Sequence, residues 1–439
     1  MPIFGDDGFR SEFKTQFMTI EFLSRFANSL ATWSFLTEST FPVIVARDTR
    51  DSGVIVSKLF CAGLNYHGID VVDAGILPTP ALSNFMRKEN FALGLMITAS
   101  HNPSKDNGVK LFGPSGAKLP RSVEKRLEIR LTDQSSSYNK SARIGITRKI
   151  NTEFKNYICD TFGDKKIHLA EKNILVDCAN GALSQLQASN KFGSNFSFMG
   201  NNPDGKNINH RCGSNHPEIL REKINQHGYN YGVAFDGDGD RLIVVSQKIG
   251  LIETEKLAVL FFDMLARGEG QKVVVSQIVN TGFKEEIEQR GGKYIISRVG
   301  DRNVVNDAVK YGAVFGYEPS GHFFFPSASV TMDGLRTFKT FLDALRVFGN
   351  SFEEKIENVK LWGRETRNIP LSINKGKSLA EELNLKINSM LDVENEWFLA
   401  RESIWEPVIR IYYDYKDKNK FSNYLKEVQT IVQANEVRN

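Results

Sequence analysis

Short all-apolar runs alternate along this chain with polar turns and with stretches whose apolar positions fall on one helical face. Phe41 to Ala46 and Phe91 to Ile97 read as buried strands, and Asn102-Pro103 stops the second of them in a turn. Val123, Leu127 and Leu131 recur every fourth residue and predict an amphipathic helix. The polar stretch from Thr132 to Ile146, with Ser135-Ser136-Ser137 inside it, predicts a linker. A second block then opens, with strands at Ile174 to Val176, Val233 to Phe235 and Leu242 to Val245. A third runs from Gly250 to Asn358, with strands at Val273 to Val275 and Tyr294 to Ile296 and a helix over Phe283 to Arg290. Leu361 to Leu371 is the last expected boundary. Beyond it, Val408 to Tyr413 reads as a strand, and Phe421, Leu425, Val428 and Val432 as a helix stripe.

Composition narrows the class. A chain of 439 residues is too long for one core and predicts several domains. Hydrophobic residues at 41% and charged residues at 25% are ordinary for a globular chain. A net charge of +4 is too small to argue for nucleic acid or a membrane surface, but suits a phosphorylated substrate. No apolar run approaches membrane-spanning length, and Met1 to Asp7 carries no basic-then-apolar leader. The cysteines, Cys61, Cys159, Cys178 and Cys212, are far apart and lack metal-type spacing, which predicts a reducing, cytoplasmic setting.

Four stretches carry candidate chemistry. Thr98-Ala99-Ser100-His101-Asn102-Pro103 puts a hydroxyl at the mouth of a strand, beside His101 and ahead of Lys105 and Lys110. That suits a serine carrying a phosphoryl group, because phosphoryl transfer asks mainly for positioning and positive charge. Read alone, it is equally a surface turn in which Ser100 caps a helix. Asp236-Gly237-Asp238-Gly239-Asp240-Arg241 separates three carboxylates by glycines, so that a tight loop between strands can converge them on Mg²⁺, with Arg241 alongside. An EF-hand is excluded, since no helix precedes the loop and no glutamate stands at its twelfth position; an acidic structural turn remains open. Glu318, Ser320 and His322 are spaced to offer a carboxylate, a hydroxyl and an acid/base group from one loop, or else form a satisfied surface loop. Near the start, Gly5 and Gly8 allow a tight loop from which Arg10 can fork onto a phosphate, or lie solvated. Arg47 to Gly53 reads as an ion-paired structural loop beside the site.

These stretches together resemble the α-D-phosphohexomutases. The serine string, with Asp106-Asn107-Gly108-Val109-Lys110, Phe112-Gly113-Pro114 and Lys118-Leu119 after it, is similar to the family's phosphoserine signature. Its second half, like Asp204 to Asn209, takes the form of the phosphoglucosamine mutase branch. Phe4 to Arg10 resembles the opening motif, Asp177 to Ala182 a second-domain turn leading into a helix, and Val299 to Arg302 a cleft motif. Arg401 to Arg410 resembles the phosphate-gripping loop, with Glu402, Ile404 and Trp405 where proline, glycine and threonine are usual.

The resemblance implies three α/β domains with mixed sheets and a smaller C-terminal α+β domain around one central cleft, at 1–140, 141–248, 249–365 and 366–439. It implies one Mg²⁺ on Asp236, Asp238, Asp240 and phosphorylated Ser100, with Ser100, His101, Lys110, Arg10 and His322 as the reacting set. Arg241, Arg302, Glu318, Ser320, His322, Arg401, Ser403 and Arg410 would hold the sugar phosphate. The implied reaction shifts a phosphoryl group within a hexose or hexosamine phosphate through a bisphosphate, in a monomer or homodimer. A glucosamine phosphate is the expected substrate. A mannose or glucose phosphate mutase is the alternative within the enzyme class, and a paralogue that binds sugar phosphates with reduced activity is the alternative from another functional class.

Overall fold

The computed structural model describes residues 3–5, 7–132, 143–169, 172–371, 376–403, 408–417 and 419–437. The serine-rich centre of the expected linker and residues 404–407 lie outside them.

Four sheets follow one another along the chain. The first has the order Phe9–Glu12, Asp106–Phe112, Leu93–Ile97, Val43–Arg47, Val71–Ile76, Thr147–Lys149. Its last four strands are parallel and its first three pair antiparallel. Val43 and Val45 enter the core on one face, and Ile44 and Ala46 the core on the other. Burial of both faces is why this strand is apolar at every position rather than alternating. The second sheet runs Gly250–Ile252, Leu242–Ser246, Tyr231–Phe235, Ile174–Asp177, Phe196–Met199, and the third Lys293–Ser297, Lys272–Ser276, Phe315–Glu318, His322–Phe324. Both are mixed. The fourth, Gly363–Pro370, Val408–Tyr415, Glu396–Glu402, is wholly antiparallel.

The helix at Arg121–Thr132, that at Thr281–Gln289 and the last, Phe421–Val437, follow the predicted stripes. One expectation is corrected. The turn after Asp177 leads into turns and the short 3-10 helix Gln187–Ser189, not an α-helix: the N–H groups of Ser184, Leu186 and Ser189 bond three residues back rather than four. The expected boundary stretch Leu361 to Leu371 opens directly into the first strand of the fourth sheet, Gly363–Pro370, paired along its length with Val408–Tyr415. No described helix is long and apolar enough to cross a membrane.

One hydrophobic core runs through the first three sheets, joining Ile44 and Met96 to Val176 and Phe235 and then to Val275 and Phe323. Helix Glu153–Phe162 packs between the helices Thr79–Lys88 and Gly334–Phe348 and so links the units. Its Tyr157 hydroxyl donates to Asp333, the cap of the latter helix, at 2.5 Å. Phe338 on that helix is fully buried among the rings of Phe162, Phe192, Phe196 and Phe235. Phe338→Ala is expected to cost about 3–5 kcal/mol, read as a fall in the urea midpoint with unchanged slope.

The fourth sheet has its own core, with Leu383, Phe398, Ile411, Tyr413 and Val428 at its centre. A polar joint ties it to the third unit. Arg364 forks onto Asp414 at 2.6 and 2.9 Å and donates to the Ile278 carbonyl at 2.7 Å. Asp414 also accepts from the backbone and hydroxyl of Thr281, and the Asn280 amide exchanges two bonds with the backbone of Trp362.

Candidate active site

Strand Leu93–Ile97, buried along its length, delivers Ser100 to the point where the first and second units meet. Ser100 is 1% exposed and caps no helix, which removes the surface-turn reading. Its φ is +52°, a left-handed backbone that a serine keeps only when its surroundings hold it there. Its Oγ donates to Asp236 at 2.6 Å and lies 3.4 Å from His101 Nδ1. A buried frame holds the loop. Arg50, fully buried, pairs with Asp48 at 2.9 Å and donates to the carbonyls of Ser100, Asn102, Pro103 and Asp106. Asp48 accepts from Thr98, and the Thr98 hydroxyl accepts the Ser100 N–H at 2.8 Å. The loop at Arg47 to Gly53 is thus the ion-paired support its sequence predicts.

The three aspartates sit on the hairpin between Tyr231–Phe235 and Leu242–Ser246, all 0–1% exposed, with one ligand oxygen from each within 4.8 Å of the others. Asp236 Oδ1 accepts the N–H groups of Gly239, Asp240 and Arg241, which fixes the curl of the loop. Burial, then the charges of Asp240 and Asp238, pushes Asp236 up to about 8. Asp238 Oδ2 accepts from Thr79 and Lys110, while its Oδ1 is buried with no partner. Three crowded carboxylates, one with an orphaned oxygen, fit a hard divalent cation. Gly237 is required here, because a Cβ would come 2.5 Å from the Ser100 carbonyl oxygen.

Cations line the near side. Lys110, 1% exposed, donates to Asp238 at 2.7 Å and Asp240 at 3.0 Å, and pairs with Asp7 at 2.9 Å. Burial opposes its charge, but these carboxylates outweigh burial and hold the ammonium well above its usual range. Asp7 also receives Arg10 at 2.6 Å and Lys118, which reaches on to Asp301 of the third unit. His101 is pushed down to about 2 by burial and then by Arg241 and Arg10, so it is a neutral imidazole.

The third unit brings its loop to the same place through a backbone bridge between Arg241 and His322. His322 Nε2 lies 3.1 Å from both Asp240 Oδ1 and Arg241 Nε, and one nitrogen cannot both donate to the first and accept from the second. Burial and Arg241 oppose protonation of His322, but Asp240 and Glu318 raise it to about 9, which selects the donor role toward Asp240. Ser320 Oγ is 2.9 Å from His322 Nδ1, and Glu318 accepts the Gly300 N–H at 2.9 Å.

Ser100, His101, Lys110, Arg10, Arg241, Glu318, Ser320, His322 and the aspartates therefore converge. Arg302 does not stand free beside them: its guanidinium forks onto Glu124 of the first unit at 2.9 and 2.5 Å. Arg401 and Arg410 are direct cross-strand partners in the fourth sheet, with Ser403 buried beside them. Ile404 and Trp405, the substituted positions of that loop, fall outside the described residues.

Sequence reading passed over Asp7, Thr79, Arg50 and Asn209 as site residues. Asp7 and Arg50 lie in stretches already singled out, so proximity was the available signal. Asn209 closes the Asp204 to Asn209 stretch, also singled out but read only as a loop, and Thr79 had no signal.

Comparison with known proteins agrees with this geometry. Residues 1–137 match the family described as phosphoglucomutase/phosphomannomutase, alpha/beta/alpha domain I, and residues 253–361 match its domain III. A phosphoglucosamine mutase of Geotalea daltonii is 31% identical, covering 99% of this chain and 98% of its own. One from Francisella tularensis is 31% identical, with 96% of each chain covered. Among solved structures, a phosphoglucomutase/phosphomannomutase family protein from Burkholderia thailandensis superposes with a TM-score of 0.81 at 22% identity, over 99% of this chain and 97% of its own. An N-acetylphosphoglucosamine mutase of Aspergillus fumigatus, solved with GlcNAc-6P and magnesium, gives 0.65 at 14% identity, over 98% and 95%. The chain belongs to the α-D-phosphohexomutase superfamily, in its phosphoglucosamine mutase branch.

Proposed function

We propose that this chain interconverts glucosamine 6-phosphate and glucosamine 1-phosphate, with Ser100 as the phosphoryl carrier and a hexosamine bisphosphate as the intermediate. The observation that carries the reading is the Ser100 hydroxyl, buried and donating at 2.6 Å to Asp236, one of three clustered buried carboxylates. A free sugar hydroxyl attacks phosphorus on phosphorylated Ser100. The new P–O bond forms as the P–Oγ bond breaks, the attacking hydroxyl gives up its proton, and Oγ regains one. The bisphosphate then turns over in the cleft and returns its other phosphoryl group to Ser100.

Asp236, Asp238 and Asp240, with the Ser100 phosphoryl oxygens, would hold Mg²⁺, which neutralises charge on the moving group. Arg10 and Arg241 add positive charge without a proton to lose. Lys110 and His322 are held protonated and are the groups we assign to return the proton to Oγ, and neutral His101 lies 3.4 Å from it. Glu318 and Ser320 are placed to hold adjacent sugar hydroxyls. The facing arginines Arg401 and Arg410 grip the phosphate that stays put; like charges directly opposite in a sheet disfavour each other, and an anion between them removes that cost.

The test is a mutase assay on the purified protein with MgCl₂ and a trace of glucose 1,6-bisphosphate. It compares glucosamine 6-phosphate, glucose 1-phosphate and mannose 1-phosphate. The expected result is a higher kcat/KM for glucosamine 6-phosphate than for either neutral sugar phosphate. EDTA should abolish turnover and added Mg²⁺ restore it. Preference for either neutral sugar replaces glucosamine phosphate as the substrate and keeps the mechanism; no turnover of any of them discards the mutase reading.

A further inference from the structure

We infer that Asn209 is a positioning residue for Ser100, setting the phosphoryl carrier in register with the carboxylate hairpin. The inference rests on the mutase reading above and adds a residue to it. Asn209 lies in the polar loop after strand Phe196–Met199, far from the serine in sequence, and is 8% exposed. Its side-chain amide donates to the Ser100 carbonyl at 2.8 Å and to the Asn102 carbonyl at 3.0 Å. A single NH₂ thus spans both ends of the turn that carries the hydroxyl.

The Ser100 carbonyl is enclosed on three sides. Arg50 donates from the first unit at 3.0 Å, Asn209 from the second at 2.8 Å, and Gly237 of the carboxylate hairpin lies close against it. Fixing that oxygen fixes the left-handed backbone of Ser100, and with it the direction of Oγ. Arg50 belongs to the same unit as the serine, so it sets the shape of the loop. Asn209 belongs to the unit that carries the aspartates, so it sets where the loop sits against them.

The loop bearing Asn209 is itself anchored to that second unit. The Asn209 N–H donates to Ala179 at 2.9 Å, Gly213 N–H to Asp177 at 2.7 Å, and Ser214 N–H to Phe235, the last residue before Asp236, at 2.8 Å. Asn215 of the same loop donates to the His101 carbonyl at 3.3 Å. The loop therefore couples the end of the strand leading into the aspartates to the serine turn. Only a side chain with two amide protons makes both Asn209 bonds; an aspartate would set an acceptor against two carbonyl oxygens.

Asn209 is also left-handed, at φ +57°. A glycine keeps that backbone at no steric cost and deletes only the amide, so Asn209→Gly separates positioning from folding. Two readouts are taken: steady-state turnover of glucosamine 6-phosphate, and the rate at which dephosphorylated protein gains one phosphoryl group on Ser100 from glucose 1,6-bisphosphate, followed by mass spectrometry. In Asn209→Gly both rates should fall by about 10²-fold, while KM and the melting temperature stay near wild type. Asn209→Asp should be slower still. Wild-type kcat and loading in Asn209→Gly overturn the inference, as does a loss fully explained by a lower folded fraction. If wild type loads Ser100 but turns over no hexose phosphate, the mutase reading fails while the loading rate still decides the role of Asn209. If wild type takes up no phosphoryl group, both are lost.

Discussion

Ser100→Ala is expected to remove turnover altogether, by at least about 10⁴-fold in kcat, while leaving the fold intact. The size follows from the chemistry. Positioned cations and a metal ion stabilise a phosphoryl group in flight, but they cannot take its place as an acceptor. In the proposed cycle, the bisphosphate would then have nowhere to deliver its second phosphoryl group, and the cycle could not close. Among the described residues no other hydroxyl donates to the carboxylate triad except Thr79, which is buried and committed to Asp238. The fold should survive because Oγ donates its one proton to Asp236, while the bonds holding the loop go to the Ser100 backbone. Melting temperature within a few degrees of wild type, retained binding of glucose 1,6-bisphosphate by calorimetry and absent turnover form the expected set. A variant that keeps more than about a tenth of wild-type kcat would show that the phosphoryl group travels by another route.

Arg50→Met should be the most damaging single change to stability near the site, at about 3–5 kcal/mol. One guanidinium satisfies four carbonyl oxygens and the Asp48 carboxylate with no access to water. Removing it strands a buried charge at Asp48 and leaves the serine turn without its internal donors. Arg50→Lys should recover little, since three donors on a point charge cannot reach five acceptors arranged around a plane. Urea unfolding measures the first effect. A loss under about 1 kcal/mol in Arg50→Met would mean that water replaces the guanidinium and that the loop is not framed as described.

Much of this architecture is legible from the chain because its signals are local. Short apolar runs bounded by turn signals, such as Phe91 to Ile97, read as strands buried on both faces, and the Asp-Gly alternation of residues 236–240 reads as a tight loop. Ser100, the aspartates and the Glu318 to His322 loop each sit in one short stretch. What could not be read is which side chains meet across the chain. Arg302 stood in a stretch that pointed to the cleft, yet it is committed to Glu124, 178 residues away. Asn209 looks like one more turn residue until the fold carries it to Ser100, 109 residues earlier. Lys118 drew notice as part of a string, but its bridge from Asp7 to Asp301 depends on how two units dock. Such pairings are not legible locally, because in the sequence either partner alone reads as an ordinary polar residue.

The partition of the hydrophobic core has a consequence for how the molecule comes apart. Three sheets share one continuous apolar interior, so none of them can open without exposing the others, and they form a single cooperative block. The fourth sheet keeps its own interior and is fastened largely through Arg364, Asp414, Asn280 and Thr281. Polar fastenings of this kind exchange with water at modest cost, whereas a shared core does not. Amide protons of the last sheet should therefore belong to a separate, lower-lying opening event, in which the C-terminal unit lets go while the carboxylate hairpin and the serine turn remain assembled.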